Sequence, residues 1–329
     1  MPTITQTPDG HVFESAEGET ILRAALRAGI GMPYSCNTGS CGNCRFQLLD
    51  GEVTHLRADA PAWSERELKR GRWLGCQAVP NGACSVKFRT MDKYIPHNQP
   101  EAFEAELVDV TVITRDISEF IFKSSAAPAF RPGQYALLHV PGVEGGRAYS
   151  MSNLGDDGIW KFMIKHMPGG AATGQLFEAK LGAKITIDGP YGTAFLREDS
   201  PRDIVLLAGG SGLSPIVAIA KGAVAAGMLG ARKLHIFYGG REAGDLCDVA
   251  VLGGQAAEQA RFVAALSDAD AAWTGATGYL HDVVVQDMGA DLQACEIYFA
   301  GPAVMSAAVQ KMTHEAGVPQ DQLHFDEFF

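Results

Sequence analysis

The chain has 329 residues, 47% of them hydrophobic, which is material for two or three domains of about 100–150 residues and excludes a disordered protein. Its 27 basic against 38 acidic side chains give a formal charge of −11, and with no basic stripe this excludes a nucleic-acid binder. No run of about 18 apolar residues occurs, and Met1-Pro2-Thr3-Ile4 lacks the basic and apolar regions of a signal peptide, so the expectation is a soluble, cytoplasmic protein.

Residues 1–93 hold 11 basic and 10 acidic side chains, so a partner surface there is not read by strong charge alone. Thr20 to Gly29 place apolar side chains at helical spacing and finish on glycine, which predicts a short helix leading into a cysteine loop. Residues 94–101, with Pro96 and Pro100, read as a linker. From 102 to 199 strand-like alternation broken by Gly and Pro (Glu106–Val112, Tyr135–Val140, Ile159–Ile164, Lys184–Ile187) predicts a small antiparallel barrel. A charged seam, Arg197 to Asp203, precedes 200–329, which carry 7 basic and 16 acidic residues over 199–329. There the apolar strands 204–208, 234–238 and 296–300 alternate with alanine-rich helical stretches, which predicts a doubly wound parallel sheet.

Four of the seven cysteines crowd into residues 36–76, a distribution that suits thiolate ligation in a reducing compartment. Cys84, Cys247 and Cys295 read as ordinary residues. Cys36, Cys41 and Cys44, followed after 31 residues by Cys76, reproduce the plant-type C-x4-C-x2-C…C arrangement of a [2Fe–2S] centre. Three thiolates on one loop wrap two irons only if the backbone turns inward and aims N–H groups at sulfur, and Gly39 and Gly42 supply that freedom. Structural zinc is the rival reading, but it favours paired C-x2-C knuckles.

The loop, the helix before it and Trp73-Leu74-Gly75-Cys76-Gln77 resemble the ferredoxin domain of three-part oxygenase reductases. The likeness spans the chain down to His324-Phe325-Asp326-Glu327-Phe328-Phe329, and is nearest to the reductases of carbazole and naphthalene dioxygenase systems. It implies a β-grasp ferredoxin, then a flavin barrel, then a nicotinamide domain.

Arg131-Pro132-Gly133-Gln134-Tyr135 and Arg147-Ala148-Tyr149-Ser150 match the paired signatures of the ferredoxin–NADP reductase superfamily. A flavin dinucleotide needs a cation for phosphate, an aromatic face and a hydroxyl near N5, and Arg147, Tyr149 and Ser150 are the candidates. Ile164 and His166 lead into Gly169, Gly170 and Thr173, a glycine turn opening a helix whose N–H groups suit a pyrophosphate. The family often has Arg at the Ala171 position and usually Ser at Thr173. Phe329 is expected to stack on the flavin ring. FAD rather than FMN follows from the module order.

Gly209, Gly210, Ser211 and Gly212 follow an apolar strand and open a helix, resembling the superfamily's G-G-x-G-x-x-P turn for a dinucleotide. Arg241 and Asp245 come at the end of the next strand, where an adenosine ribose would lie; the carboxylate favours NADH, whereas Arg241 could tolerate a 2′-phosphate. Gly301 and Pro302 stand in the family's C-G-P-P-P-M segment, with Ala300 replacing its cysteine and Ala303 a proline. No side chain is needed as a catalytic acid or base for direct hydride transfer. The resemblance therefore implies a reductase that passes electrons from NADH through FAD and the cluster to a Rieske-type oxygenase or its ferredoxin, and a monomer is the default expectation. The reductase of a deoxysugar dehydrase shares the module order, and a redox-sensing module is the reading that lacks hydride entry.

Overall fold

The cysteine loop is carried by a five-stranded sheet in the order Val12–Glu14, Thr3–Thr7, Cys84–Lys87, Arg45–Asp50, Arg72–Leu74. Thr3–Thr7 and Cys84–Lys87 run parallel while the other neighbours run antiparallel, the pairing of a β-grasp. The computed structural model describes residues 1–125, 129–155 and 158–328. They fall into two units, one of Met1–Phe103, Ala136–Ala148 and Thr186–Thr193, the other of Glu104–Tyr135, Tyr149–Ile185 and Ala194–Phe329.

In the first unit the expected helix runs from Ile21 to Arg27, with Thr20 as N-cap accepting from the Arg23 N–H. It stops because Gly29 turns left-handed, at φ 74°, which lets the Gly29 and Ile30 N–H groups reach the carbonyls of Leu26 and Ala25. Ile21, Leu22, Ala24, Ala25 and Leu26 are buried, leaving Arg23 and Arg27 off that face. The segment expected as a linker, 94–101, begins on the last residue of a turn at Asp92–Tyr94 and ends where a strand starts at Glu101.

The middle sheet is six-stranded, in the order Arg147–Ser150, Tyr135–His139, Lys184–Tyr191, Glu101–Val112, Ile117–Lys123, Ile159–Lys165. Ile117–Lys123 pairs antiparallel with both of its neighbours, and the ladder to Glu101–Val112 shifts between Leu107 and Asp109. The strands Glu101–Val112, Tyr135–His139, Arg147–Ser150 and Lys184–Tyr191 each pass from one unit into the other along the chain. This is the antiparallel flavin-binding barrel expected from the sequence.

The second unit ends in a six-stranded, wholly parallel sheet ordered Ala276–Thr277, Ala260–Leu266, Leu234–Gly240, Asp203–Gly209, Cys295–Pro302, Leu323–Phe328. Asp203–Gly209 is central and buried on both faces. Ile204, Leu206 and Ala208 pack with Leu213, Ile216 and Val217 of the helix Leu213–Ala225, while Val205 and Leu207 pack with Val284 and Val309 of the helices Leu280–Met288 and Ala303–Glu315. Period-two alternation with two apolar faces is what a doubly wound sheet requires. The chain adds strands outward on one side of Asp203–Gly209 and then returns to the other, so the topological switch lies between that strand and Cys295–Pro302, where this fold binds its ligands.

Glu296, 3% exposed, fastens the outer strand. It accepts from the Ser200 hydroxyl at 2.6 Å and Arg202 Nη1 at 3.0 Å, and its Oε1 lies 2.6 Å from His324 Nε2. Burial pushes the carboxyl up, but His324, Ser200 and Arg202 together hold it below the ordinary range. A depressed carboxylate stabilises the fold at pH values above its ordinary range, and this is lost as pH falls through the depressed value. Glu296→Ala is therefore expected to cost about 3 kcal/mol, the usual loss for a broken buried pair. In thermal melts the difference from the parent should shrink as the medium is acidified.

Candidate functional site

The cysteine loop turns as its glycines require, with Gly39 at φ 85° and Gly42 at φ 78°. Asn37, at φ 56°, is a third left-handed residue that the sequence reading did not single out, although Asn tolerates this conformation better than other side chains. These turns aim N–H groups at sulfur: those of Cys41 and Thr38 reach Cys36 Sγ at 3.3 and 3.5 Å, and that of Asn43 reaches Cys41 Sγ at 3.5 Å. Gln77 Nε2 donates to Cys76 Sγ at 3.6 Å. Cys36 and Cys41 are half-buried, Cys44 and Cys76 buried.

The four thiols meet in two pairs. Hydrogen bonding from Cys41 lowers Cys36 to about 5, and the same contact raises Cys41. Hydrogen bonding from Cys76 lowers Cys44, and the same contact raises Cys76. Among the described residues no three His, Cys, Asp or Glu side chains surround one point as the ligands of a single ion do. The thiols stand for the four thiolates of a loaded centre, and donors already aimed at sulfur fit an iron–sulfur cluster, whose potential depends on such bonds.

The residues expected at the flavin have separate surroundings. Arg147 Nη1 donates to the carbonyls of Glu144, Gly145 and Gly146 at 3.1–3.3 Å. Ile164 is wholly buried, so only its main chain is open to a ligand. His166 is exposed, with its ring 4.8 Å from that of Phe177. The Thr173 hydroxyl closes its own turn, accepting from the Met167 N–H and reaching the Met167 and Gly170 carbonyls. Gly170 caps the helix Ala171–Glu178 with no side-chain bond, leaving first-turn N–H groups for phosphate. Tyr149 is half-buried and Ser150 buried. Phe329 lies outside the described residues.

At the switch point Gly209 ends the central strand, Gly210–Gly212 form a short turn, and the helix Leu213–Ala225 starts without a side-chain cap. A Cβ on Gly212 would lie 2.0 Å from the Ala300 carbonyl oxygen and 2.8 Å from the Gly301 nitrogen. The turn Gly210–Gly212 and the Ala300-Gly301-Pro302 segment thus touch backbone to backbone, a cradle that fits a dinucleotide. Ser214 was missed by the sequence reading: its hydroxyl donates to the Ser150 carbonyl at 2.7 Å and accepts from the Met163 N–H at 3.2 Å. Its place in the G-G-S-G-L-S-P segment was the available signal.

Asp245 does not point freely at a ribose position. Its Oδ2 accepts from the Arg241 and Glu242 N–H groups, capping the turn Ala243–Asp245, and Arg115 Nη2 stands 2.7 Å from Oδ1, close but without the alignment of a hydrogen bond. Burial raises this carboxyl, but the two N–H groups and Arg115 outweigh it and hold it low. Glu242 pairs with Arg115 at 2.7 Å, whereas the Arg241 side chain is 74% exposed and only loosely paired with Asp245, at 3.8 Å.

Asp326 was also missed. It sits opposite Ala300 in the strand register and, with Tyr298, His324, Pro215 and Ile216, lines a cavity of about 10 Å³, room for about one water. Burial pushes its carboxyl up to about 7.

A ferredoxin–NAD(P)(+) reductase of Metapseudomonas resinovorans, CarAd, is 39% identical over 319 residues, covering 95% of each chain. The chain belongs to this family of ferredoxin–NAD(P)+ reductases. Residues 4–81 match the 2Fe-2S iron-sulfur cluster binding domain, 104–195 the oxidoreductase FAD-binding domain and 206–311 the oxidoreductase NAD-binding domain. The ferredoxin–NAD(+) reductase component of an alkene monooxygenase system from Xanthobacter autotrophicus is 36% identical, covering 97% of this chain and 98% of its own. Among solved structures, the ferredoxin reductase in carbazole 1,9a-dioxygenase superposes with a TM-score of 0.92 at 34% identity, covering 100% of this chain and 98% of that one. The reductase is thus an oxidoreductase whose domains take a [2Fe–2S] cluster, FAD and NAD.

Two outcomes test the nicotinamide end. Gly212→Ala forces backbone apart and is expected to weaken NADH binding at least about tenfold, about 1.4 kcal/mol, read by calorimetry with flavin occupancy unchanged. Asp326 carries the opposite pH sign to Glu296. A raised carboxyl favours the fold at low pH, and this is lost as pH rises from the ordinary range through about 7. Asp326→Asn should melt higher than the parent at pH 8 and equally at pH 4.

Proposed function

We propose that this reductase takes hydride from NADH and delivers electrons to the redox component of an oxygenase system that attacks an aromatic compound. The single observation that carries the direction of flow is the graded exposure of the cluster ligands, with Cys36 and Cys41 half-buried and Cys44 and Cys76 buried. The outer pair marks the side from which a partner protein takes an electron. Relatives named for carbazole dioxygenase and alkene monooxygenase systems support a terminal oxygenase, or a ferredoxin serving it, as that partner.

When bound, FAD would supply two-electron hydride chemistry and the cluster one-electron transfer. The chain's residues do the holding. The N–H groups opening Leu213–Ala225 and the turn Gly209–Gly212 bind the dinucleotide pyrophosphate, with Gly301 and Pro302 lining the approach of the nicotinamide. Arg241 and Asp245 shape the adenosine end. A carboxylate at that end supports NADH over NADPH, whereas the exposed Arg241 side chain would tolerate a 2′-phosphate. Arg147, Tyr149, Ser150 and the turn Gly169-Gly170 with Thr173 hold the flavin, and Ile164 and His166 flank it. Cys36, Cys41, Cys44 and Cys76 hold the irons, and no acid or base is required.

The same reading divides the chain into a ferredoxin domain over 1–93, a linker over 94–101, a flavin domain over 102–199 and a nicotinamide domain over 200–329. It takes the protein as a cytoplasmic monomer. Among the described residues no helix is long and apolar enough to cross a membrane.

Cys76→Ser separates the two halves of the path. The variant is expected to keep NADH–ferricyanide activity within about twofold and to lose cytochrome c reduction at least about tenfold. Unchanged cytochrome c reduction would mean that electrons leave without the cluster.

A further inference from the structure

The helix before the cysteine loop carries a charge arrangement that neither cofactor binding nor the fold of its own sheet requires. Arg23 turns away from the buried face and meets Asp188, 165 positions along the chain in the strand Lys184–Tyr191. Its Nε lies 3.0 and 2.9 Å from the two carboxylate oxygens and its Nη2 2.9 Å from Oδ1. The side chains are 20% and 8% exposed. A pair this far from water persists only if its other lone pairs and protons are met, and they are. The Tyr191 hydroxyl donates to Asp188 Oδ1 at 3.1 Å, and Glu19 takes the remaining Arg23 nitrogen at 2.9 Å. Glu19 is held in turn by Arg27 and by the Ala16 N–H at 2.7 Å. Beside the pair, Tyr34 stands edge-on to Tyr191 at 6.3 Å and accepts from the Gly192 N–H at 2.9 Å.

The helix end of this contact leads directly to the sulfur ligands. Leu22, the neighbour of Arg23, donates its N–H to the Gly75 carbonyl at 2.9 Å, and the Gly75 N–H donates to the Cys44 carbonyl at 2.8 Å. Gly75 is also bonded covalently to Cys76. One glycine therefore joins the helix to both buried cluster ligands, and a Cβ there would lie 2.4 Å from Met32 Cε. An ion pair that fixes Arg23 also fixes the backbone from which Cys44 and Cys76 hang.

We propose that Arg23 and Asp188 are positioning residues for internal electron transfer, holding the cluster cradle against the strand Lys184–Tyr191. This rests on the reductase reading above. The step served moves one electron at a time from reduced flavin to oxidised cluster and makes or breaks no bond in the protein. A contact across 165 positions is a more specific device for this than an apolar patch, because a bidentate guanidinium–carboxylate pair admits one geometry.

The test uses the holoprotein and Asp188→Asn, which leaves Arg23 its pair with Glu19. Stopped-flow reduction by NADH separates the flavin band from the cluster band, and amide hydrogen exchange is followed over residues 20–34 and 74–77 without NADH. Expected are flavin reduction within about twofold of the parent, cluster reduction slowed about tenfold or more, and faster exchange in both segments. Asp188→Glu should restore most of the cluster rate. Arg23→Lys, which keeps the charge but not the fork, should repeat the slow phase if Asp188→Asn does not fold. Unchanged cluster reduction overturns the assignment, as does slowing of both phases by the same factor, which would mark general damage. Failure of the parent chain to bleach its flavin with NADH would overturn the reductase reading instead, a result read from a different band and protein.

Discussion

A carboxylate taken out of water has to be met by donors or it destabilises the fold by several kcal/mol, and this chain turns that requirement into fastenings. Asp188 gathers Arg23 and Tyr191, Glu296 gathers Ser200, Arg202 and His324, and Asp245 gathers Arg115 and two backbone N–H groups. Each joins segments distant in sequence, and each lies next to an element of a candidate site. Leu22 adjoins the first fastening and reaches Gly75, the outer strand held by the second also bears Asp326, and the third closes the turn after Leu234–Gly240.

At the proposed cofactor sites the division of labour is the reverse. Main-chain groups are left to point into them: N–H groups aimed at sulfur in the cysteine loop, and the uncapped starts of Ala171–Glu178 and Leu213–Ala225. Side chains act one step back and hold that main chain in place. Thr173 ties its own turn, and Ser214 reaches both Ser150 and Met163. A backbone donor cannot swing away as a lysine can, so it serves a ligand whose reacting atom must be placed to a fraction of an ångström.

Asp326 is the exception, a carboxyl that the described residues leave to burial rather than to a partner. It stands opposite Ala300 in the strand register. Small and apolar, Ala300 offers that carboxyl no hydrogen bond from its side chain.

The sequence by itself determined the module order, the four thiols and the two glycine turns, because these depend on local rules: cysteine spacing, period-two apolar strands, and glycine wherever φ is positive or backbones touch. The helix ended where Gly29 said it would, and the parallel sheet followed from Ile204 to Ala208 being apolar at every position. Tertiary structure alone decided the partners of charged side chains. Arg23 was one more outward-facing residue until the fold brought Asp188 to it, and Asp245 looked free to greet a ribose until Arg115 closed on it. Electrostatic partners are chosen by proximity in space, at ranges of 3–4 Å, and proximity between residues more than a hundred positions apart leaves no periodic trace in the chain.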